Sequence, residues 1–262
     1  MSVLTEILGR KRERVNAAKK AIPLNKVREQ AVETRKIFEQ HRLLTALQRD
    51  QVNVIAEFKR RSPSKGIIRA NADVGSIVRG YASGGAAAIS VLTEADYFDG
   101  SLDDLRSAKS AVDLPVLRKD FIFDEYQVFE AAAAGADAIL LIVAALDDRS
   151  LLRLRQLAEQ ELEIDALVEV HDIAEMMRAA ASGAKLIGVN NRSLHTFEVS
   201  LKTSLDLAST APTGSILVSE SGLRTWEDLA ALREVGYRGF LIGESLMRAE
   251  KPVELLRGLT GQ

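Results

Sequence analysis

From residue 52 onward, the chain alternates between short apolar runs and longer amphipathic segments. Eight runs rich in apolar and β-branched residues begin roughly every 22–34 residues, at 52–58, 86–92, 114–117, 136–143, 164–170, 186–189, 215–218 and 239–242. Several of them lack polar alternation, which is typical of strands buried on both faces of a parallel sheet. The pattern therefore predicts eight buried strands.

The amphipathic segments between these runs carry signals for the start and end of helices. Ser101 with Asp104, and Thr225 with Asp228, have the spacing of capping boxes in which aspartate replaces glutamate. Further candidate N-caps are Asp124, Asp147 and Asp172, and the glycines at segment ends, where a left-handed residue is commonly needed, are Gly84, Gly135, Gly183 and Gly236. Helices are thus predicted between the strands.

Eight strand–helix alternations favour a closed (β/α)8 TIM barrel, of the α/β class, over an open doubly wound sheet. The open sheet ordinarily has fewer strands and a glycine-rich G-x-G-x-x-G turn after the first one. Here the first run leads into a polar, basic segment with no glycine before Gly66. Residues 2–49 are predicted to be helical, in two pieces separated by Pro23. We expect a single barrel domain, 1–262, in which 1–50 is a helical N-terminal extension covering one end.

Composition and charge exclude several classes of protein. The 35 Lys and Arg residues balance 37 Asp and Glu residues, and this net charge of −2 argues against a dedicated nucleic-acid binder. The absence of cysteine excludes disulfides and thiolate zinc sites and fits a reducing compartment. The apolar runs are too short to cross a membrane, and the N-terminus does not resemble a secretory signal. We therefore expect a cytoplasmic protein, and the scattered His41, His171 and His195 predict no metal site.

Charged residues stand at the carboxyl ends of the predicted strands, where barrel enzymes carry their reacting groups. Glu57 and Lys59 follow the first run two residues apart, and therefore on one face of a strand. Lys119 follows the third run, Glu169 lies inside the fifth, and Asn190 ends the sixth. A buried carboxylate needs a cationic or hydrogen-bonding partner, for which both lysines are candidates. These groups could form either a structural ion-pair network or an acid–base site.

Small residues follow the last two predicted strands, as in many phosphate-binding barrels. Ser221 and Gly222 follow the seventh, and Gly243 and Glu244 follow the eighth. Backbone N–H groups in such turns bind phosphate, although the glycines could equally be ordinary turn residues. A phosphate here requires that Glu244 use its N–H while its carboxylate points away.

The motifs at the strand ends resemble those of the indole-3-glycerol phosphate synthase family. They are AEFKRRSPSKG at 56–66, SVLTE at 90–94, YFDG at 97–100, LRKDF at 117–121, LVEVH at 167–171, GVNNR at 188–192, SESG at 219–222 and IGESLM at 242–247. They occur in the family's order over nearly the whole chain. The resemblance implies a barrel enzyme of tryptophan biosynthesis that needs neither cofactor nor metal.

The resemblance also implies a role for each residue at the strand ends. Lys119 would be the general acid in condensation, Glu169 would transfer protons, and Lys59 would be the acid in dehydration. Glu57 and Asn190 would orient and stabilise intermediates. The implied substrate contacts are Ser62 and Arg192 at the anthranilate end, Phe98, Phe121 and Leu194 on the aromatic ring, and Ser221, Gly222, Gly243 and Glu244 at the phosphate.

Three other functions remain open at this point. Another phosphate-binding barrel enzyme, such as phosphoribosylanthranilate isomerase, is expected to use a cysteine base, which this chain lacks. A Schiff-base aldolase would use Lys59 or Lys119 as its nucleophile. A barrel without activity could serve as a binding module. We expect a small phosphorylated substrate, no nucleic-acid or membrane partner, and a monomer or weak homo-oligomer.

Overall fold

Eight parallel strands form a closed barrel with helices around it. The computed structural model describes residues 3–194 and 196–261. The barrel strands are β1 Asn53–Phe58, β2 Ala88–Leu92, β3 Val116–Lys119, β4 Ala138–Ile142, β5 Asp165–Val170, β6 Leu186–Asn190, β7 Ile216–Glu220 and β8 Tyr237–Ile242. Each strand pairs with its neighbours in the chain, and β1 closes the ring against β8. The predicted (β/α)8 TIM barrel is confirmed.

Helices precede the barrel, connect its strands and follow the last one. They are α1 Val3–Ala21, α2 Leu24–Arg35, α3 Arg42–Leu47, α4 Val74–Ser83, α5 Leu102–Ala111, α6 Glu125–Ala133, α7 Asp148–Gln156, α8 Ile173–Ser182, α9 Lys202–Ala208, α10 Trp226–Glu234, α11 Glu244–Arg248 and α12 Pro252–Thr260. A short antiparallel ribbon after β1 pairs Arg61–Ser62 with Gly66–Ile67. None of the helices in the described ranges is long and apolar enough to span a bilayer.

Most of the predicted helix starts and ends are confirmed, with two corrections. Thr225 and Asp228 form a complete capping box, and the other predicted N-cap side chains each accept a backbone N–H, namely Ser101, Asp124, Asp147 and Asp172. Asp104 does not close the predicted box, because its carboxylate accepts from Arg60 and from the Ser101 hydroxyl. Gly84 is not left-handed; the positive φ occurs one residue later, at Gly85.

Side chains inside the barrel lie in layers, because alternate residues of a strand face the same side. An apolar layer contains Ile55 of β1, Leu117 of β3 and Leu167 of β5. The next inward position toward the carboxyl end of these strands is occupied by Glu57, Lys119 and Glu169. The barrel is therefore apolar in its middle and charged at one mouth.

The N-terminal segment contacts both ends of the barrel. Val3, Leu4 and Ile7 of α1 line the cavity at the charged mouth. Leu43 and Leu47 of α3 pack with the apolar layer and close the opposite end. The two predicted helical pieces are in fact three helices, because the chain turns again at the left-handed His41 before α3. The prediction that this segment covers one end was therefore incomplete.

Candidate active site

A cavity of ≈ 640 Å³ opens at the carboxyl ends of the strands. Its walls include every predicted site residue: Glu57, Lys59, Ser62, Phe98, Lys119, Phe121, Glu169, Asn190, Arg192, Leu194, Ser221, Gly222, Gly243 and Glu244. Four barrel strands and several loops that are distant in the sequence supply these side chains. The geometry on which the sequence interpretation depends, one shared mouth, is therefore present.

Lys119 lies at the centre of the charged mouth, between two carboxylates. Its Nζ atom is 2.8 Å from Glu169 Oε2 and 2.9 Å from Glu220 Oε2. Burial alone would lower the pKa of Lys119, but Glu169, Glu220 and Glu57 together raise it above its ordinary value. Lys119 is therefore a fixed positive charge facing the cavity.

Glu169 is held in place by three side chains. Besides Lys119, Asn190 donates to its Oε1 atom at 3.2 Å, and His171 Nε2 lies 3.4 Å from the same oxygen. Burial would raise the pKa of Glu169, but Lys119 and His171 outweigh it and hold the pKa below its ordinary value. Glu169 is therefore an ionised carboxylate in the free protein and can accept a proton.

Glu57 and Lys59 form a second acid–base pair at the end of β1. Lys59 Nζ donates to Glu57 Oε1 at 2.6 Å. The Glu57 carboxylate fits against β8 because residue 243 is glycine, and a Cβ there would collide with it. The mouth thus contains two lysines, each paired with carboxylates and both facing one cavity.

Glu220 is a member of this cluster that the sequence analysis left out. It ends β7, where its Oε1 atom is buried with no hydrogen-bond partner in the described ranges. Glycine at 188 makes room for it, since a Cβ there would collide with this oxygen. Burial and the nearby Glu169, opposed by Lys119, raise the pKa of Glu220 to about 7. The sequence signal that could have identified Glu220 is its position two residues after Val218, whose side chain lies inside the barrel.

The turns after β7 and β8 form the other side of the cavity. Ser221 and Gly222 both have positive φ, and the Ser221 hydroxyl donates to Asn190 Oδ1 at 2.9 Å. Glu244 does not point away from the cavity as expected. Its carboxylate lines the rim beside three cations: Arg248 at 3.3 Å, Arg192 at 3.9 Å and Lys65 at 4.0 Å. This rim therefore combines small turn residues with excess positive charge.

The wall of the cavity also has an apolar section. The Phe98 and Phe121 rings lie 6.2 Å apart and tilted, and Leu194 lines the same cavity. Ser62 and Arg192 line the same cavity. Side chains that the sequence analysis did not assign, including those of α1, complete the surface. A flat aromatic group fits this part of the cavity.

The histidines do not form a metal site in the described ranges. Residues 3–194 and 196–261 hold no group of three or more His, Asp or Glu side chains arranged to bind a metal ion. His41 contacts Asp165 at the far end of β5, and His171 contacts Glu169 and Glu175. His195 lies outside the described residues. Independence from metals and cofactors stays a prediction.

Comparison with known proteins decides the family. The family model for indole-3-glycerol phosphate synthase matches residues 4–259. The chain belongs to the indole-3-glycerol phosphate synthase family. It is 49% identical over 252 residues to the indole-3-glycerol phosphate synthase of Laribacter hongkongensis, covering 95% of both chains. It is 53% identical over 210 residues to that of Koribacter versatilis, covering 80% of both.

Membership in the indole-3-glycerol phosphate synthase family confirms the resemblance predicted from the motifs. It also confirms the predicted activity class, a carboxy-lyase of tryptophan biosynthesis. Solved structures with lower identity show only the fold. A Pyrococcus furiosus thiamine phosphate pyrophosphorylase is similar with a TM-score of 0.60 and 16% identity, covering 79% of this chain and 93% of that one. A Clostridium perfringens N-acetylmannosamine-6-phosphate 2-epimerase has a TM-score of 0.61 and 14% identity, covering 79% and 92%.

Proposed function

We propose that the cavity closes the indole ring of 1-(2-carboxyphenylamino)-1-deoxyribulose 5-phosphate, yielding indole-3-glycerol phosphate, CO2 and water. The observation that carries the proposal is the placement of Lys119 between two buried carboxylates, in a cavity whose rim carries three further cations around Glu244. The reaction needs a cation beside a ketone, a proton donor for a departing hydroxyl, and a base. The mouth contains groups suited to all three needs.

Condensation is the step assigned to Lys119. The ring carbon that bears the carboxylate attacks the ketone carbon, and the ketone oxygen gains negative charge. A fixed ammonium beside that oxygen stabilises the charge and supplies the proton that turns it into a hydroxyl. The two carboxylates around Lys119 keep it protonated before the substrate binds.

The remaining steps are assigned to Lys59, Glu57, Glu169 and Asn190. Loss of CO2 returns the bonding electrons to the ring and restores its aromaticity. Lys59, paired with Glu57, delivers a proton to the hydroxyl, which leaves as water. Glu169, oriented by Asn190, takes up the proton that the substrate loses as the new double bond forms.

The substrate contacts that we propose lie on the remaining parts of the wall. We assign the anthranilate end to Ser62 and Arg192 and its aromatic ring to Phe98, Phe121 and Leu194. The phosphate is assigned to Ser221, Gly222 and Gly243 and to the backbone N–H of Glu244, whose carboxylate is paired with the rim cations, with Lys59 assisting from the wall of the same cavity. Anchoring the phosphate at one side of the cavity holds the reacting carbon atoms in contact at the other.

Fluorescence tests the proposed reaction directly. Purified protein and the anilino-ribulose phosphate should produce an indole emission that grows with time, above the constant background of the single Trp226. Borohydride added during turnover should leave no covalent adduct on either lysine. Folded protein that gives no indole emission would refute the assignment, and an adduct on Lys59 or Lys119 would favour the aldolase.

The phosphate contacts are tested with an analogue that lacks the phosphate. We expect this analogue to inhibit the reaction far more weakly than the reduced, phosphorylated substrate analogue. Equal inhibition by the two compounds would remove the assignment of Gly222 and Gly243. A monomer or weak homo-oligomer in the cytoplasm stays a prediction, and light scattering measures the assembly state.

A further inference from the structure

His171 lies immediately beyond β5, against the carboxylate to which proton transfer is assigned. Its Nε2 atom is buried, has no hydrogen-bond partner in the described part of the chain, and stands 3.4 Å from Glu169 Oε1. A buried ring nitrogen without a partner is costly unless it is used. At this separation a modest movement of either group turns an ion-pair contact into a hydrogen bond.

Glu175 of α8 fixes the other side of the histidine. Its Oε2 atom accepts from the His171 backbone N–H at 2.8 Å and lies 3.0 Å from the ring Nδ1. Holding both backbone and ring orients the Nε2 atom toward Glu169. The charged groups that face His171 are therefore Glu169 from β5 and Glu175 from α8.

We infer that His171 is a positioning residue: Glu175 tethers it as a charged imidazolium that orients Glu169 and keeps it ionised for proton transfer. This inference rests on the proposed role of Glu169. Glu169 already bonds Lys119 and Asn190, so a third donor restricts its remaining freedom. When the substrate is bound, Lys119 turns toward the ketone and its hydrogen bond to Glu169 weakens. The contact with His171 then keeps Glu169 in place.

Burial opposes the imidazolium, but the two carboxylates outweigh it and raise the pKa of His171 to about 10. A His pKa raised in the folded state contributes stability below the unfolded value of about 6.5, and that stability is lost as the pH rises toward 10. A structural role in packing alone gives no such dependence on pH.

Kinetics of His171→Ala test the positioning role. We expect kcat to fall about 10- to 100-fold, as for other residues that orient a reacting ligand, with KM changed less than about threefold. Loss of one positive charge should move the near-neutral ionisation of the Glu169–Glu220 pair in kcat/KM up by about 1 pH unit. His171→Gln, which keeps an N–H donor without the charge, should recover part of kcat but not the ionisation.

His41 provides a matched control at the other end of the same strand. Its Nδ1 atom lies 3.0 Å from Asp165 Oδ1, so His41→Ala also breaks a histidine–carboxylate pair. We expect His41→Ala to lower the thermal midpoint while kcat and the pH profile stay at wild-type values. If His171→Ala resembles this control in kcat and pH profile, the inference is wrong.

Two measurements keep the inference separate from the proposed reaction. Nitrogen-15 NMR should show His171 doubly protonated at neutral pH, and Glu175→Gln should lower its titration midpoint. The difference in thermal midpoint between wild type and His171→Ala should be largest below about pH 6.5 and vanish near pH 10. A neutral ring at pH 7 overturns the inference even if indole is formed. Absence of indole with a charged ring refutes the proposed function and, with it, the catalytic part of the inference.

Discussion

The two ends of the barrel bury similar charges but arrange them differently. At the mouth, Lys119 faces Glu169 and Glu220, so one cation lies among carboxylates. At the opposite end the ratio is reversed. Asp137 is 2.6 Å from Lys109 and within 4.0 Å of two arginines, Arg35 and Arg42. Buried charge by itself therefore does not identify an active site.

The hydrogen-bond partners distinguish the two ends. Asp137 accepts from the Val116 backbone N–H, and Asp165 accepts from the Leu44 backbone N–H, so each carboxylate ties separate segments of chain together. At the mouth, the hydrogen bonds described for Glu57, Glu169 and Glu220 come from side chains. Carboxylates that accept from backbone N–H groups stabilise the fold. The carboxylates at the mouth instead accept from lysine and asparagine side chains, beside an open cavity.

The different ratio of cations to carboxylates shifts the pKa values of Lys109 and Lys119 in opposite directions. Burial lowers the pKa of Lys109, and Asp137 does not fully restore it because Arg42 and Arg35 repel the same charge. Burial also acts on Lys119, but the excess of carboxylates there raises the pKa above its ordinary value. Lys119 therefore stays protonated at the mouth although it is largely buried.

The largest expected effect is that of Lys119→Ala on catalysis. We expect kcat to fall about 10²- to 10⁴-fold, the usual range for a general acid, because Lys119 is the cation that donates to both Glu169 and Glu220 among the residues the structure describes. Substrate binding should be mostly retained. The measurement is steady-state kinetics, with substrate binding followed by calorimetry. Lys109→Ala is the matched control, and a near-normal kcat in Lys119→Ala would remove the general-acid assignment.

The next effect is that of Asp137→Ala on stability. Loss of this carboxylate leaves Lys109 and two arginines buried without it, and breaking a buried pair costs about 3–5 kcal/mol. Urea unfolding measures the loss. The kcat of the folded variant should equal that of the wild type. A variant that keeps its stability but loses activity would show that the two ends do not differ as described.

Glu220→Gln tests whether Glu220 carries a proton in the folded state. Burial raises the pKa of Glu220 to about 7, so the folded state binds a proton that the unfolded state has released between about pH 4.3 and pH 7. Wild-type stability should therefore fall as the pH rises through this window. The glutamine variant lacks this ionisation and should gain about 3 kcal/mol on the wild type from pH 4.3 to 7. A difference that does not vary with pH contradicts this interpretation.

The layered interior explains why so much of the mouth could be predicted from the sequence. Alternation along each strand places Glu57 two residues after Ile55 and Lys119 two after Leu117, so period and strand direction suffice. The partnership of Glu220 with Lys119 could not be predicted in this way. It depends on room that glycine at 188 provides on a neighbouring strand.

The N-terminal segment was predicted least well, for a related reason. Helical periodicity continues through residues 2–49, and the sequence around His41 carries no signal for its left-handed conformation. That turn directs Leu43 and Leu47 into the barrel, where their partners come from the whole ring of strands. Asp104 is a similar case, because Arg60, the partner that takes it from the capping box, lies 44 residues away. Distant partners override local pattern at all of these positions.

The smallest expected effect is at the rim, where charge is exposed to solvent. Glu244 lies beside Arg248, Arg192 and Lys65 at 3.3–4.0 Å, and exposed pairs of this kind are worth about 0–1 kcal/mol. Glu244→Gln removes a negative charge near the phosphate and frees Arg248 and Lys65 for it, so we expect KM to fall by at most about threefold with kcat unchanged.

Salt and a neighbouring residue provide the controls for this last change. The gain in KM should shrink as ionic strength rises, because screening weakens exposed charges first. Glu250→Gln removes an exposed carboxylate that does not line the cavity, and KM should not change. If Glu244→Gln instead raises KM, the carboxylate orders the rim cations for the phosphate rather than competing with it. The exposed charges of the rim would then be arranged for substrate binding, as the buried charges around Lys119 are arranged for proton transfer.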